Sequence, residues 1–248
     1  MNPLNFCISL FILHFFRHYL GPEGIYYLFY KKISNKIISY KIQKGNLSDK
    51  QIQKERLWSN RSQFIDIFVF FLSLYLFHMG ILSLNFQTPI SEIWLPEFGK
   101  FILLSFLQDF YFYVTHRLLH HKWLYQKIHL IHHRSILKNP LTSYSVHPVE
   151  KLIELLFFPI MIWLFSLHPY TFLLFILVTS VINIFGHSGY EFKWMFQRYA
   201  PKVTNTSLFH ELHHTTPNTN FSLYFVIWDK LLGTCHKKYD SLYFDKSL

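Results

Sequence analysis

Charged residues are scarce in this sequence. Asp, Glu, Lys and Arg make up 15% of its 248 residues, where a soluble domain carries about a quarter. Glycine and proline are few as well, 8 and 10 residues, which excludes collagen-like and Gly/Pro-rich low-complexity chains. The two cysteines, Cys7 and Cys235, stand at opposite ends with no CxxC pair, so neither a disulfide scaffold nor a zinc ribbon is expected. No Lys or Arg precedes the first apolar run, residues 4–16, and no A-x-A site follows it, so a cleaved signal peptide is not expected. What is abundant is apolar and aromatic: 51% hydrophobic residues, 28 Phe and 16 Tyr. That composition excludes intrinsic disorder. Two excesses remain to be explained, a formal charge of +10 and 16 histidines.

The apolar residues are gathered into runs. Residues 67–84 hold 18 positions without a formal charge, enough for a bilayer-spanning helix. Residues 101–114 follow, then a pair, 152–167 and 170–185, split by His168 and Pro169. Sixteen helical residues measure roughly 24 Å, short of the ~30 Å hydrocarbon core, so this pair reads as a tight spanning or partly dipping hairpin. Residues 4–30 read as membrane-associated, interrupted by Arg17, His18, Gly21, Pro22 and Glu23. Nine Lys and Arg lie within residues 31–61, while residues 87–99 hold two glutamates and no Lys or Arg. By the positive-inside rule the first stretch is cytoplasmic and the second lies outside. The positive charge is thus a topology signal, and no nucleic-acid partner is expected: that role wants basic residues interleaved with exposed aromatics on a soluble face.

Twelve of the 16 histidines fall between His116 and His214. Helical positions i, i+3 and i+4 share a face, so His116/His120, His129/His132/His133 and His210/His213/His214 each present imidazoles in one direction. Asp109, Tyr113, His116 and His120 fall within an arc of roughly 60° at about 100° per residue. Asp109 is therefore expected about two turns deeper on the ligand face, as the acceptor for an imidazole N–H. His120 and His129, nine residues apart, would lie about 180° apart on a straight helix, so a break is expected between His121 and Gln126. Eight histidines exceed one zinc site; two adjacent metals are expected, and imidazole suits Zn, Cu, Fe and Ni alike.

These residues resemble the three histidine boxes of the fatty acid hydroxylase/sterol desaturase superfamily. The flanks agree: residues 109–121 (DFYFYVTHRLLHH), the His147-Pro-Val-Glu150 step, His187-Ser-Gly-Tyr-Glu191, and residues 210–234 with their Asn-x-Asn-aromatic stretch and closing Trp-Asp-x-x-x-Gly-Thr. The resemblance covers residues 100–235. It implies an integral membrane oxygenase with two iron ions held by His116, His120, His129, His132, His133, His187, His210, His213 and His214, with zinc able to substitute in purified protein. His147 and Asn183 are expected as further ligands or as partners of ligands, and Glu150, Glu191 and Asp229 as caps or such partners. The implied reaction is O₂-dependent hydroxylation or desaturation of a lipid: a fatty acyl chain, a sphingoid base or a sterol. No dinucleotide fingerprint is present, so electrons are expected from an external cytochrome- or ferredoxin-type donor.

Two other readings compete. His210-Glu211-Leu-His213-His214 satisfies H-E-x-x-H, the signature of a zinc metalloprotease with Glu211 as base. A metal transporter would also need clustered histidines, but near the bilayer midplane, whereas these boxes are expected at cytoplasmic helix ends. The remaining His14, His18, His78, His168 and His236 are expected to be satisfied polar residues or interface residues. The expected fold is all-α: a multi-pass integral membrane bundle under a cytoplasmic histidine-rich helical cap. Residues 1–62 form an N-terminal membrane-associated segment and basic loop, and residues 63–248 the oxygenase domain.

Overall fold

Helices start where the sequence supplies caps, and the computed structural model describes residues 1–192 and 200–244. Asn2 caps α1 (Pro3–Phe15) through Asn5 N, and Ser48 caps α3 (Asp49–His78) through Gln51 N. A π-helical turn, Phe16–Leu20, joins α1 to α2 (Gly21–Tyr27). Two His-Pro pairs do the same work further on. His147 Nδ1 accepts from Val149 N at the start of α7 (Pro148–Leu164), and His168 Nδ1 from Tyr170 N at the start of α8 (Pro169–Gly186). Each pairs a side-chain acceptor with a proline whose missing N–H costs nothing at a helix start.

The expected run 67–84 is only partly helical. α3 ends at His78 because Gly80 takes φ +71, and Gly80 N and Ile81 N bond back to Phe77 O and Leu76 O. That is a Schellman stop, and it leaves 79–84 outside the helix. α3 instead begins earlier and passes unbroken through residue 62. The run 101–114 lies within the longer α4 (Ile90–Leu119). Among the described helices, one, Pro169–Gly186, is both long and apolar enough to cross a membrane; α7 stops at 17 residues.

The long helices pack around one core: α3 on α7, α4 on α7 and α8, and α1 on α8. Phe6, Leu104, Phe157, Leu167 and Phe175 fill it. The outer faces are apolar too. Phe64, Phe68, Phe71 and Tyr75 form an exposed stripe along α3, and Trp94, Phe98, Ile102, Phe106 and Phe110 another along α4. After α4 come the short α5 (Lys122–Leu124), a π-helical turn (Tyr125–His129) and α6 (Leu130–His133). Past α8 lie α9 (Ala200–Val203), α10 (Ser207–Thr215), α11 (Ile227–Leu231) and α12 (Tyr239–Phe244). Leu208, Phe209, Val226, Tyr239 and Tyr243 give this cap its own small core. The described residues are all-α, with two isolated β-bridges and no strand.

Candidate metal centre

The chain turns off α4 at His120–His121, where His121 is extended (φ −59, ψ 133). That break, at the near edge of the expected window, returns residues 129–133 toward the end of α4. α10 is started by Thr206, which accepts from Phe209 N, and by the carboxylate of Glu191, which accepts from Leu208 N. It brings His210, His213 and His214 to the same place.

The nine expected ligands meet there and divide into two groups. His116, His120, His129, His133 and His213 form one; His132, His187, His210 and His214 form the other; within each, the ligand nitrogens lie within 4.8 Å of one another. The groups interlock, with the rings of His133 and His214 stacked at 4.4 Å. The facing pairs are Nε2 to Nε2: His116–His129 3.1 Å, His129–His133 3.1 Å, His133–His213 3.1 Å, His187–His210 2.9 Å, His132–His187 3.3 Å, His132–His214 3.2 Å and His210–His214 3.1 Å.

The His116–His129 separation is not explained by a hydrogen bond, whereas the Nδ1 atoms of His132, His133 and His214 have no partner that would fix their tautomers. His116 Nδ1 lies 2.8 Å from the Phe221 carbonyl, which can only accept, and His129 Nδ1 lies 2.8 Å from Glu150 Oε1. Each Nδ1 therefore carries the proton, and in a neutral imidazole the Nε2 is then a bare lone pair. Two lone pairs at 3.1 Å repel unless a cation lies between them. An ion with ~2.0–2.1 Å bonds to two imidazoles sets their nitrogens roughly 2.8–3.4 Å apart at angles of about 90–109°, and all seven distances fall in that range. His187 Nδ1 on Asn183 O and His213 Nδ1 on Thr219 O, at 2.8 and 2.7 Å, are oriented in the same way. His120 Nε2 is buried with no hydrogen-bond partner. Burial keeps the imidazoles neutral, pushing His187 down to about 4 and His133 to about 3, and His129, His132, His210 and His214 well below the ordinary value. The donor set fits two adjacent soft-to-borderline metal ions.

Asp109 does not touch an imidazole. Fully buried, it accepts from Leu223 N and Tyr224 N on one oxygen (2.8 and 2.6 Å) and Phe225 N on the other (3.1 Å). Asp229 takes Phe221 N and Ser222 N, both at 2.8 Å. Two carboxylates thus hold five consecutive N–H groups, and the clamped segment presents the Phe221 carbonyl to His116. Asn220, at φ 59, turns the chain into this clamp and bonds Phe209 O. The expected role of Asp109 is corrected: it positions a loop that positions a ligand. His147 lies outside both histidine groups as the α7 cap. Asn183 is also outside, its amide on Ser143 O while its carbonyl holds His187. His14 and His18 are less isolated than expected, meeting Asp66 at ligand distance. However, Arg17 and Lys151 reach the same carboxylate, at 3.6 and 3.8 Å, which opposes a cation there.

Glu211, the base of the H-E-x-x-H reading, is ion-paired with buried Lys138 and hydrogen-bonded by Gln43. His210 and His214 join two further histidines instead of a single third ligand. The protease reading is not favoured. Neither Lys138 nor Gln43 was marked by any motif, and the carbonyls of Phe221, Thr219 and Asn183 have no side-chain signature at all.

The fatty acid hydroxylase family model matches residues 101–234, the stretch that supplies every one of these ligands. The chain belongs to the fatty acid hydroxylase family. Among relatives, human cholesterol 25-hydroxylase is 41% identical over 138 residues, 54% of this chain and 49% of that protein. A very-long-chain aldehyde decarbonylase of Oryza sativa subsp. japonica is 37% identical over 149 residues, 54% of this chain and 23% of its own. Another from Oryza sativa subsp. indica is 30% identical over 217 residues, 82% of this chain and 32% of its own. The chain therefore spans about a quarter to a half of these family members. No solved structure matches it.

Proposed function

We propose that this fatty acid hydroxylase family member is a multi-pass membrane oxidoreductase that hydroxylates or desaturates a membrane lipid with O₂, using two iron ions. His116, His120, His129, His133 and His213 would hold one ion and His132, His187, His210 and His214 the other. Bound there, iron would supply the redox chemistry that activates O₂ toward an unactivated C–H bond. The observation that carries this reading is nine imidazoles in two groups whose ring nitrogens face one another within 4.8 Å, with Nδ1 of His116, His129, His187 and His213 turned outward onto Glu150 and backbone carbonyls. Such outer partners fix imidazole orientation and tautomer.

A cavity of about 870 Å³ runs from His116, His129, His132, His187 and His210 along Phe106, Phe112, Phe158, Phe175 and Val178. Its size suits a lipid-sized ligand, and its apolar walls would hold a hydrocarbon beside the metals and keep water from them. The relatives named for sterol hydroxylation and very-long-chain aldehyde chemistry support a lipid substrate. Exposed aromatic stripes on α3 and α4 favour lipid contact over solvent. In this reading the histidine cap faces the cytoplasm, where an external cytochrome- or ferredoxin-type donor delivers electrons.

The test is metal analysis of purified full chain together with mass spectrometry of lipids from cells with and without the gene. About two irons per chain and a lipid that gains one oxygen, or loses a pair of hydrogens, are expected. Product formation that survives combined His116→Ala, His132→Ala and His213→Ala would overturn the proposal. One zinc with Glu211-dependent proteolysis would establish the protease instead.

A further inference from the structure

A second polar group lies in the wall of the same cavity. Arg17, Lys151, Tyr144 and Glu154 all line it. Arg17 and Asp66 also line a separate apolar cavity of about 650 Å³ between α1 and α3, so the group stands where the two spaces meet. The Arg17 guanidinium and the Lys151 ammonium lie 5.5 and 4.9 Å from the centre of the Tyr144 ring.

The group is incompletely bonded. Lys151 is 2% exposed, yet its ammonium approaches Asp66 only to 3.8 Å, and Arg17 Nη1 approaches it only to 3.6 Å. Both distances exceed the 2.7–3.2 Å or so of a closed N–H···O bond. Arg17 Nε is buried with no partner at all. Buried cations are costly unless their donors are satisfied, and here the donors border an apolar cavity with room for a ligand. Arg17 Nε, Asp66 Oδ2 and Tyr144 Oη are all buried without hydrogen-bond partners, so the group calls for a ligand oxygen that accepts from the guanidinium, and the walls beyond call for a ligand that is otherwise hydrocarbon.

We infer that Arg17 and Lys151, grouped with Asp66 around Tyr144, form a head-group subsite that takes the oxygen-bearing polar end of a lipid, a carboxylate or a hydroxyl, while its apolar body extends toward the histidines. This assignment rests on the lipid-oxygenase reading and adds a requirement to it: a pure hydrocarbon is a poor ligand. The subsite selects by head group, independently of how the metals react.

The test is equilibrium binding of radiolabelled palmitate, hexadecanol and hexadecane, which share one chain length, to the full chain in nanodiscs, with iron content measured on the same samples. The wild-type protein is expected to bind palmitate or hexadecanol at least about tenfold more tightly than hexadecane, the size of one hydrogen bond to a charged group. The tighter of the two identifies carboxylate or hydroxyl as the natural head. Arg17→Gln combined with Lys151→Gln should abolish that preference with iron content unchanged, and Arg17→Lys should keep most of it. Equal binding of all three ligands by the wild type overturns the subsite, and so does a preference that survives in the double variant. The wild-type comparison decides the matter even if the double variant fails to fold. Protein without iron that still shows an Arg17-dependent preference would refute the oxygenase reading and leave the subsite standing. Iron-loaded protein without any preference would refute the subsite alone.

Discussion

Replacing Asp109 by Asn tests how the metal centre is held from outside its ligands. The carboxylate accepts two N–H groups on one oxygen and one on the other. Asn can keep the first two as neutral bonds, each weaker by about 1 kcal/mol than a bond to a charged acceptor. Its amide nitrogen, in place of the second oxygen, sets donor against donor at Phe225 N, a further loss of about 1–3 kcal/mol. The total, about 3–5 kcal/mol, falls on residues 223–225 and through them on the Phe221 carbonyl that orients His116. A local opening of that size should expose the segment before it unfolds the helices. Hydrogen exchange should show lost protection confined to the amides of residues 221–225. Chelator titration should show metal bound about 10–100-fold more weakly, the usual consequence of losing a ligand's outer partner, with the helical fold retained. Unchanged protection at 221–225 together with unchanged affinity for both ions would refute the clamp. Global unfolding of the variant would also refute it, because the carboxylate would then support the whole fold and not the 221–225 segment.

Three further outcomes follow from the same geometry. Glu150→Gln replaces the carboxyl group that faces His129 Nδ1 and should lower metal affinity about 10–100-fold, read by chelator competition, with the helical circular dichroism signal retained. Metal-free protein should lose stability as pH falls from about 6.5 toward 4. The buried imidazoles sit at about 4 for His187 and about 3 for His133, below the ordinary 6.5, so in that window the unfolded chain binds more protons. Each such histidine then costs about 1.4 kcal/mol per pH unit, and a flat denaturation midpoint between pH 7 and 5 would contradict the burial. Gly189→Ala should destabilise by about 1–2 kcal/mol or more as seen in thermal melts, since Gly189 holds φ +75 and a Cβ would meet Tyr30 Oη at 2.6 Å and Lys138 O at 2.8 Å.

The clustering of the nine histidines was legible because imidazole spacing on a helix is a local property. The i, i+3 and i+4 rule needs no knowledge of the rest of the chain, and the break after His120 followed from the 180° conflict with His129. The roles of Asp109 and His147 were not legible for a common reason: each depends on which backbone groups lie opposite. Asp109 shares a helix face with His116, but its partners are amides more than a hundred residues later in the chain. His147 precedes a proline, and its ring turns back to the N–H of Val149, so the cap competes with ligation and wins. Helix ends show the same division. Gly80 marks the end of α3 through its backbone freedom, whereas hydropathy continued to residue 84 and carried the expected span past the stop.

The division of ligands between the two ions has its own consequence. His132 and His133 are neighbours in sequence yet belong to different groups, and so do His213 and His214. Any rotation or shift of α6 or α10 that improves one coordination sphere must disturb the other. In the proposed two-metal centre the sites would therefore be mechanically geared: filling the first would fix the peptide units that carry donors for the second. Iron titration should be sigmoidal, with little one-iron protein at half-saturation, and a hyperbolic titration with a stable one-iron form would show that the gearing is absent. It also means that such a centre cannot be altered one metal at a time, because a single inserted or deleted residue at either doublet reassigns donors on both sides.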